Sequence, residues 1–150
     1  MPTNSDFSEL LSALNDSQVK YLVIGGYAVM VYTEPRFTKD LDLWVEASEE
    51  NGNRVHAALA RFGAPLAGVT AADFSQPGLF YQMGRPPVRV DILTSVTGMQ
   101  FVDAWAGRVE KDFSGVRAWF ISRPDLICIK AALGRPRDLL DVEELEKASV

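Results

Sequence analysis

Cysteine and histidine are nearly absent from this 150-residue sequence, which contains one of each, Cys128 and His56. A single cysteine forms no internal disulfide, and the apolar stretch from Leu126 to Ile129 indicates a buried, unreactive thiol. The single histidine lies on a predicted helix and is expected to be a partly exposed helix residue, which excludes most histidine-based catalytic sites. The chemistry of the protein is therefore sought among other side chains.

Long apolar runs are also missing from the sequence. Residues 1–6 contain neither the positive charge nor the apolar stretch of a secretory signal. The most apolar run, Tyr21 to Tyr32, includes two glycines and is far shorter than the ~20 residues of a membrane-spanning helix. We expect no membrane segment and a cytoplasmic location, which fits the scarcity of cysteine.

Basic residues are outnumbered, giving a formal net charge of −5, and the whole excess of acid lies in residues 1–80. Nucleic-acid binding that ignores sequence needs a basic face, so this charge disfavours it, although a local patch around Arg135 and Arg137 stays open. No repeat, low-complexity tract or long linker divides the chain. One domain over residues 1–150 is the expectation.

Hydrophobic periodicity predicts an α/β (α+β) fold, in which a mixed, twisted sheet is flanked by helices. Gly63 and Gly134 are expected to end two of the helices. Predicted helices cover about 6–15, 27–32, 48–62 and 124–133, with a last one from Pro136; predicted strands cover 21–24, 38–45, 79–83, 88–93 and 116–121. The last two helices are expected to bury the stripes Leu126, Ile129, Leu133 and Leu139, Val142, Leu145.

The strand at 38–45 carries two acids, Asp40 and Asp42, on one face, opposite the apolar Leu41 and Leu43. Two carboxylates at this spacing can hold a hard cation, and magnesium suits oxygen ligands. A sequence with 11 aspartates contains about one Asp-x-Asp pair by chance, so the pair alone means little. Trp44 is expected on the same open face as the acids.

A third acid, Asp91, strengthens the interpretation of Asp40 and Asp42 as a metal site. Asp91 lies in a second alternating strand, where Val90 and Ile92 face inward and Arg89 and Asp91 face the other way. If the two strands are neighbours, Asp91 completes a three-carboxylate cluster able to bind two metal ions.

Gly25 and Gly26 follow the first strand and precede a helix. Such glycines often simply end a strand, and that structural explanation is about as good as a functional one. In the functional explanation, a turn without Cβ atoms lets backbone N–H groups approach a triphosphate closely. Neither a Walker A loop nor a G-x-G-x-x-G motif is present, which disfavours kinase and Rossmann folds.

These motifs together resemble the DNA polymerase β-like nucleotidyltransferase superfamily, most specifically the minimal AbiEii-type toxin nucleotidyltransferases. The resemblance is carried by Gly25-Gly26, by the Arg-x-Thr-x-Asp-hydrophobic-Asp stretch from Arg36 to Asp42, by Val90-Asp91-Ile92, and by a C-terminal pattern of Lys130, Arg135, Arg137, Asp138 and Asp141. Arg137 replaces the usual lysine, which keeps the charge but changes the hydrogen-bonding geometry.

The resemblance implies a transfer of a nucleoside monophosphate from an NTP to an acceptor hydroxyl, with pyrophosphate leaving. Asp40, Asp42 and Asp91 would bind two magnesium ions and form the catalytic set, with Asp91 assigned provisionally as both ligand and general base. Nucleotide-binding residues would be Gly25, Gly26, Arg36, Thr38, Lys130, Arg137 and Asp138.

Several alternatives stay open at this point. The acceptor is expected to be an RNA end or a protein, with a neighbouring antitoxin as a partner, but the identity of the NTP base is not given by the residues. Lys130 could equally cover apolar surface, and Asp138 could equally stabilise a helix start. The chain could also be a catalytically inactive module that binds a nucleotide or a partner.

Overall fold

A computed structural model describes residues 5–85 and 88–148. Within this part, the helices are α1 (Ser5–Asp16), α2 (Gly26–Tyr32), α3 (Glu49–Phe62), α4 (Ala71–Phe74), α5 (Phe101–Ala106), α6 (Arg123–Leu133) and α7 (Pro136–Lys147). The strands are β1 (Tyr21–Ile24), β2 (Asp40–Val45), β3 (Phe80–Arg85), β4 (Val88–Leu93), β5 (Val109–Phe113) and β6 (Val116–Phe120). None of these helices is both long enough and apolar enough to cross a membrane.

The described strands form one sheet in the order β3-β4-β2-β1-β6-β5. The β2–β4 and β1–β6 pairs are parallel, and the β1–β2, β3–β4 and β5–β6 pairs are antiparallel. The predicted mixed sheet flanked by helices is confirmed. Pro86 and Pro87, in the predicted turn of the β3–β4 hairpin, lie outside the described residues.

Helix ends follow the sequence signals closely. Ser48 caps α3 by accepting a hydrogen bond from the Asn51 N–H, and Ser122 caps α6 in the same way from Asp125. Gly63 and Gly134 close α3 and α6 in the left-handed conformation that glycine adopts without strain. Both glycine stops are therefore confirmed.

The core is one contiguous apolar cluster, and it corrects the predicted exposure of several side chains. Trp44 is 1% exposed, because Phe101 of α5 covers that end of β2 with its ring at 5.2 Å. The prediction of a buried Cys128 is wrong, since its position on α6 is exposed. Helix α4, helix α5 and strand β5 were not predicted.

Helix α6 buries Leu126 and Ile129 as predicted, whereas the predicted stripe of α7 is only partly buried. Leu133 is 45% exposed and Leu139 50% exposed, whereas Asp138 is only 1% exposed and Asp141 only 8%. Only Leu145 of the predicted α7 stripe is fully buried. The physical reason is that Asp138 and Asp141 of α7 pair with the buried Lys130 of α6, as described below, and so occupy the inner face in place of apolar residues.

Candidate active site

Strand pairing brings the three predicted acids together. In the parallel β2–β4 pair, Asp42 lies opposite Asp91 and Asp40 lies opposite Arg89. Residues two apart in a strand project from the same face, so Asp40, Asp42 and Asp91 share the face opposite Leu41 and Leu43. The sequence-based condition that the two acidic strands be neighbours is met.

Asp42 is the most strongly perturbed carboxyl group of this cluster. Burial raises its pKa first, and the negative charges of Asp91 and Asp40 raise it further, to about 7. The ammonium of Lys130 opposes this shift without cancelling it. Asp42 therefore binds a proton more strongly than an exposed aspartate does.

Two further side chains organise the cluster. Arg89 donates from Nη2 to Asp40 Oδ2 at 2.7 Å, and its Nε lies 3.8 Å from Asp91 Oδ1. Gln82, on the adjacent strand β3, donates from Nε2 to the same Asp91 oxygen at 3.0 Å. The alternation of β4 predicted that Arg89 lies on the acidic face, but not that it pairs with Asp40. The contact of Gln82 with Asp91 depends on the register of the β3–β4 hairpin, which the sequence did not give.

The donor set fits magnesium in chemistry, since it consists of carboxylate oxygens. Its present arrangement does not form a complete site. In residues 5–85 and 88–148, no three carboxylate, imidazole or thiol groups are grouped so as to hold a metal ion. In this arrangement the carboxylate of Asp40 is paired with Arg89.

The glycine turn between β1 and α2 borders the acids directly. Gly25 has φ 76° and ψ −154°, a conformation essentially restricted to glycine. A Cβ at Gly25 would overlap Asp42 Oδ2, and a Cβ at Gly26 would lie 2.6 Å from Thr38 Oγ1. The turn therefore needs both glycines to make room for the protein's own side chains.

A second ionic cluster joins α6 and α7 to the loop before β2. Lys130 Nζ lies 2.9 Å from Asp141 Oδ2 and 3.6 Å from Asp138 Oδ1. Arg36 Nη1 lies 2.6 Å from Asp141 Oδ1, and Arg135 Nε lies 2.5 Å from Asp138 Oδ2. The loop that carries Arg36 is thus fastened to the two C-terminal helices.

Electrostatics in this second cluster favour the charged acids. Burial alone raises the pKa of Asp138 and Asp141. Hydrogen bonds from Arg135 to Asp138, and from Arg36 and Lys130 to Asp141, outweigh burial and leave both pKa values below the ordinary value. The carboxylates of Asp138 and Asp141 are therefore occupied by cations from the same cluster.

Both clusters line a cavity of about 960 Å³. Its wall also contains Gly25, Gly26 and Thr38, so the predicted site residues are all brought to one place. Its described basic residues are Arg36, Lys39, Arg89, Lys130, Arg135 and Arg137, and its described acids are Asp40, Asp42, Asp91, Asp138 and Asp141. Within the described residues, Lys39 and Arg137 have no ion-pair partner.

The fold is similar to that of several solved nucleotidyltransferases. The lincosamide antibiotic adenylyltransferase LnuA aligns with a TM-score of 0.63 at 15% identity, covering 98% of each chain. A candidate nucleotidyltransferase from Thermotoga maritima gives 0.63 at 13%, covering 95% of this chain and 91% of the other. The antibiotic-resistance factor ANT(2'')-Ia gives 0.62 at 14%, covering 96% and 80%. At these sequence identities, the similarity to the three solved structures shows a shared fold and nothing about substrates.

The family assignment is independent of those structures. The model of the family described as "Nucleotidyltransferase of unknown function (DUF6036)" matches residues 4–148. The chain belongs to this nucleotidyltransferase family. A search of curated protein sequences gave no significant match.

Proposed function

We propose that this protein is a metal-dependent nucleotidyltransferase that transfers a nucleoside monophosphate from an NTP to an acceptor hydroxyl and releases pyrophosphate. The observation that carries the proposal is the register of Asp42 opposite Asp91, with Asp40 on the same face of β2. Membership of a nucleotidyltransferase family supports transferase activity.

In this proposal Asp40, Asp42 and Asp91 hold two magnesium ions. When bound, the ions supply charge stabilisation at the attacking and leaving oxygens of an in-line displacement. Asp91 is also the proposed acceptor of the hydroxyl proton, and the hydrogen bond from Gln82 orients its carboxylate. Positioning of both substrates by the cavity wall would contribute the rest of the rate.

The triphosphate would lie between the glycine turn and the helices α6 and α7. Gly25 and Gly26 offer backbone without Cβ atoms at the cavity wall, next to Thr38. Arg137 has no ion-pair partner among the described residues and is available to phosphate. Lys130 and Arg36 would reach phosphate by releasing Asp141, the carboxylate that they share, while Asp138 keeps Lys130 and Arg135 in place.

For the acceptor, we propose an RNA end or a protein, and for the physiological role a toxin controlled by a cognate antitoxin, as the resemblance to AbiEii-type toxin nucleotidyltransferases implies. Lys39 lines the cavity without an ion-pair partner among the described residues and is available to the phosphates of an RNA acceptor. LnuA was solved with lincomycin bound and ANT(2'')-Ia with adenylyl-2''-tobramycin, so small antibiotics are the competing acceptor class.

The test is transfer of label from each NTP, supplied in separate reactions with label on the α- or the γ-phosphate. Each reaction contains magnesium and one candidate acceptor, which is total RNA, a protein extract or an aminoglycoside. Label from the α-phosphate, but not from the γ-phosphate, is expected in RNA or protein and is expected to vanish in Asp42→Asn. Transfer of γ-label would indicate a kinase, and α-label only in the antibiotic would overturn the proposed acceptor.

A second function is favoured by one observation: in this conformation Asp40 is paired with Arg89 and Lys130 is paired with two carboxylates. A module that only binds a nucleotide or a partner would need no further rearrangement. Magnesium-dependent thermal protection by an NTP, without transfer to any acceptor or release of pyrophosphate, would favour this function.

A further inference from the structure

The guanidinium of Arg89 lies among the three acids of the candidate metal site. Its Nη2 donates to Asp40 at 2.7 Å, and its Nε lies 3.8 Å from Asp91. The hydrogen bond to Asp40 has the largest effect on the pKa of Arg89 and raises it; desolvation lowers that pKa, and the charges of the three acids raise it further. The cluster therefore already contains one permanent positive charge.

This position follows from strand register. Arg89 precedes Asp91 by two residues and so projects from the same face of β4. The parallel pairing places it opposite Asp40, two register positions from the Asp42–Asp91 pair and on the same face. Any folded molecule with this register holds the cation beside the acids.

One donor of Arg89 is left without an acceptor. Its Nε is buried and makes no hydrogen bond within the described part of the chain, since 3.8 Å to Asp91 exceeds hydrogen-bonding distance. A side chain in a settled structural salt bridge would satisfy this group. Among the described residues, the guanidinium is therefore left with one hydrogen bond, to Asp40, and one longer charge contact, with Asp91.

We propose that Arg89 is a resident counter-ion that occupies the acid cluster in the metal-free protein and must release Asp40 when a divalent cation binds. The inference rests on the proposed metal-dependent function. Arg89 and the cation compete for the carboxylate of Asp40, so Arg89 lowers metal affinity and stabilises the metal-free fold. The displaced guanidinium remains at the cavity wall, where the phosphates of an NTP can accept its hydrogen bonds, so NTP and metal bind cooperatively.

The test measures Mn²⁺ binding by the loss of the free-ion electron paramagnetic resonance signal, without NTP and with a non-hydrolysable NTP analogue. Wild type is compared with Arg89→Met, Arg89→Lys and the control Arg117→Met, whose arginine forms an exposed strand-to-strand pair with Glu110 at 3.2 Å. Without nucleotide, Arg89→Met is expected to bind Mn²⁺ about 5- to 10-fold more tightly than wild type. Arg89→Lys, which retains a positive charge, should show a smaller gain, and Arg117→Met none.

Two further readouts separate competition from a purely structural role. In EDTA, Arg89→Met should melt at a lower temperature than wild type, and saturating Mn²⁺ should remove most of that difference. The analogue should tighten Mn²⁺ binding in wild type more than in Arg89→Met.

Equal or weaker Mn²⁺ binding by both Arg89 variants, beside normal binding by wild type, would overturn the counter-ion role and leave the proposed function standing. Absence of Mn²⁺ binding from wild type and from both variants, with the nucleotide analogue as well as without it, would overturn the metal-dependent function itself, and the counter-ion role with it. Binding by Arg89→Met alone would support the counter-ion role in its strongest form, in which Arg89 blocks the site until a nucleotide arrives.

Discussion

The carboxylate of Asp42 lies across the parallel β2–β4 pair from that of Asp91, and the pKa of Asp42 is raised to about 7. Burial is the largest cause, and the charges of Asp91 and Asp40 add to it. In the unfolded chain the three acids separate, and Asp42 titrates near its ordinary value of 3.8. Folding without a cation therefore places a cost on the ionised form of Asp42.

We first predict that the metal-free protein loses stability as pH rises from about 4 to about 7. In this window the folded state binds more protons than the unfolded chain, so the free energy of unfolding falls with pH. At about 1.4 kcal/mol per pKa unit the decline is at most about 4 kcal/mol, and solvent screening reduces it. Asp138 and Asp141, whose pKa values are lowered, lose their contributions below this window.

Urea denaturation in EDTA at pH 5 and pH 8 measures this decline. Asp42→Asn removes the titrating group and should flatten it, whereas Asp103→Asn, an exposed position on α5 outside the cavity lining, should leave it unchanged. An equally steep decline in Asp42→Asn would show that other groups cause the pH dependence.

The second prediction concerns turnover. Asp42→Asn should reduce magnesium-dependent release of pyrophosphate by at least a hundredfold, because the amide keeps the shape of the side chain but loses its charge toward a cation. At pH 8 its melting temperature in EDTA should equal or exceed that of wild type, because one member of a repelling cluster is neutralised. Turnover within a few-fold of wild type would remove Asp42 from the mechanism.

The third prediction concerns Lys130, which is 9% exposed and pairs with Asp138 and Asp141. Lys130→Ala should lower the free energy of unfolding by about 2 kcal/mol. This is less than the cost of removing one partner of an isolated buried ion pair, because Arg36 still pairs with Asp141 and Arg135 with Asp138. Lys147→Ala, at an exposed pair with Glu144, is the matched control and should cost almost nothing.

Calorimetry then separates the two roles of Lys130. If its ammonium also reaches phosphate, Lys130→Ala should weaken NTP binding more than Mn²⁺ binding, since a cation pairs with phosphate and does not ligate a metal. Unchanged NTP affinity together with lower stability would restrict Lys130 to holding Asp138 and Asp141 in place.

The acidic face of the sheet was predictable because it depends on local rules. Alternation in β2 and β4 set the side on which Asp40, Asp42 and Asp91 project. The one added condition was that the two strands be neighbours, which their parallel pairing meets. Gly63 and Gly134 were equally local signals, since a positive φ after a helical stripe favours glycine.

The predictions that failed, on the buried face of α7 and on the exposure of Trp44, depend on contacts between residues distant in sequence. Arg36 meets Asp141 across 105 positions, and that pairing turns the acids of α7 inward and leaves Leu139 exposed. No periodicity within 136–147 contains this information. Trp44 was placed on the open face for the same reason, because the helix that covers it, with Phe101, lies far along the chain.

The last prediction compares two glycines that share a positive φ but differ in their surroundings. Gly63 has φ 95°, and a Cβ added there would meet nothing within 4 Å, so Gly63→Ala strains only the helix end and should cost about 1 kcal/mol. Gly25 has φ 76°, and its Cβ would overlap the carboxylate of Asp42. Gly25→Ala should therefore cost more stability and also displace Asp42 from Asp91. The displacement is measurable by the pH dependence in EDTA, which should be altered in Gly25→Ala and retained in Gly63→Ala, and by pyrophosphate release, which should fall at least tenfold only in Gly25→Ala. If the two variants lose equal stability and keep equal activity, the contact between Gly25 and Asp42 does not set the geometry of the acids, and the glycine turn serves the backbone alone.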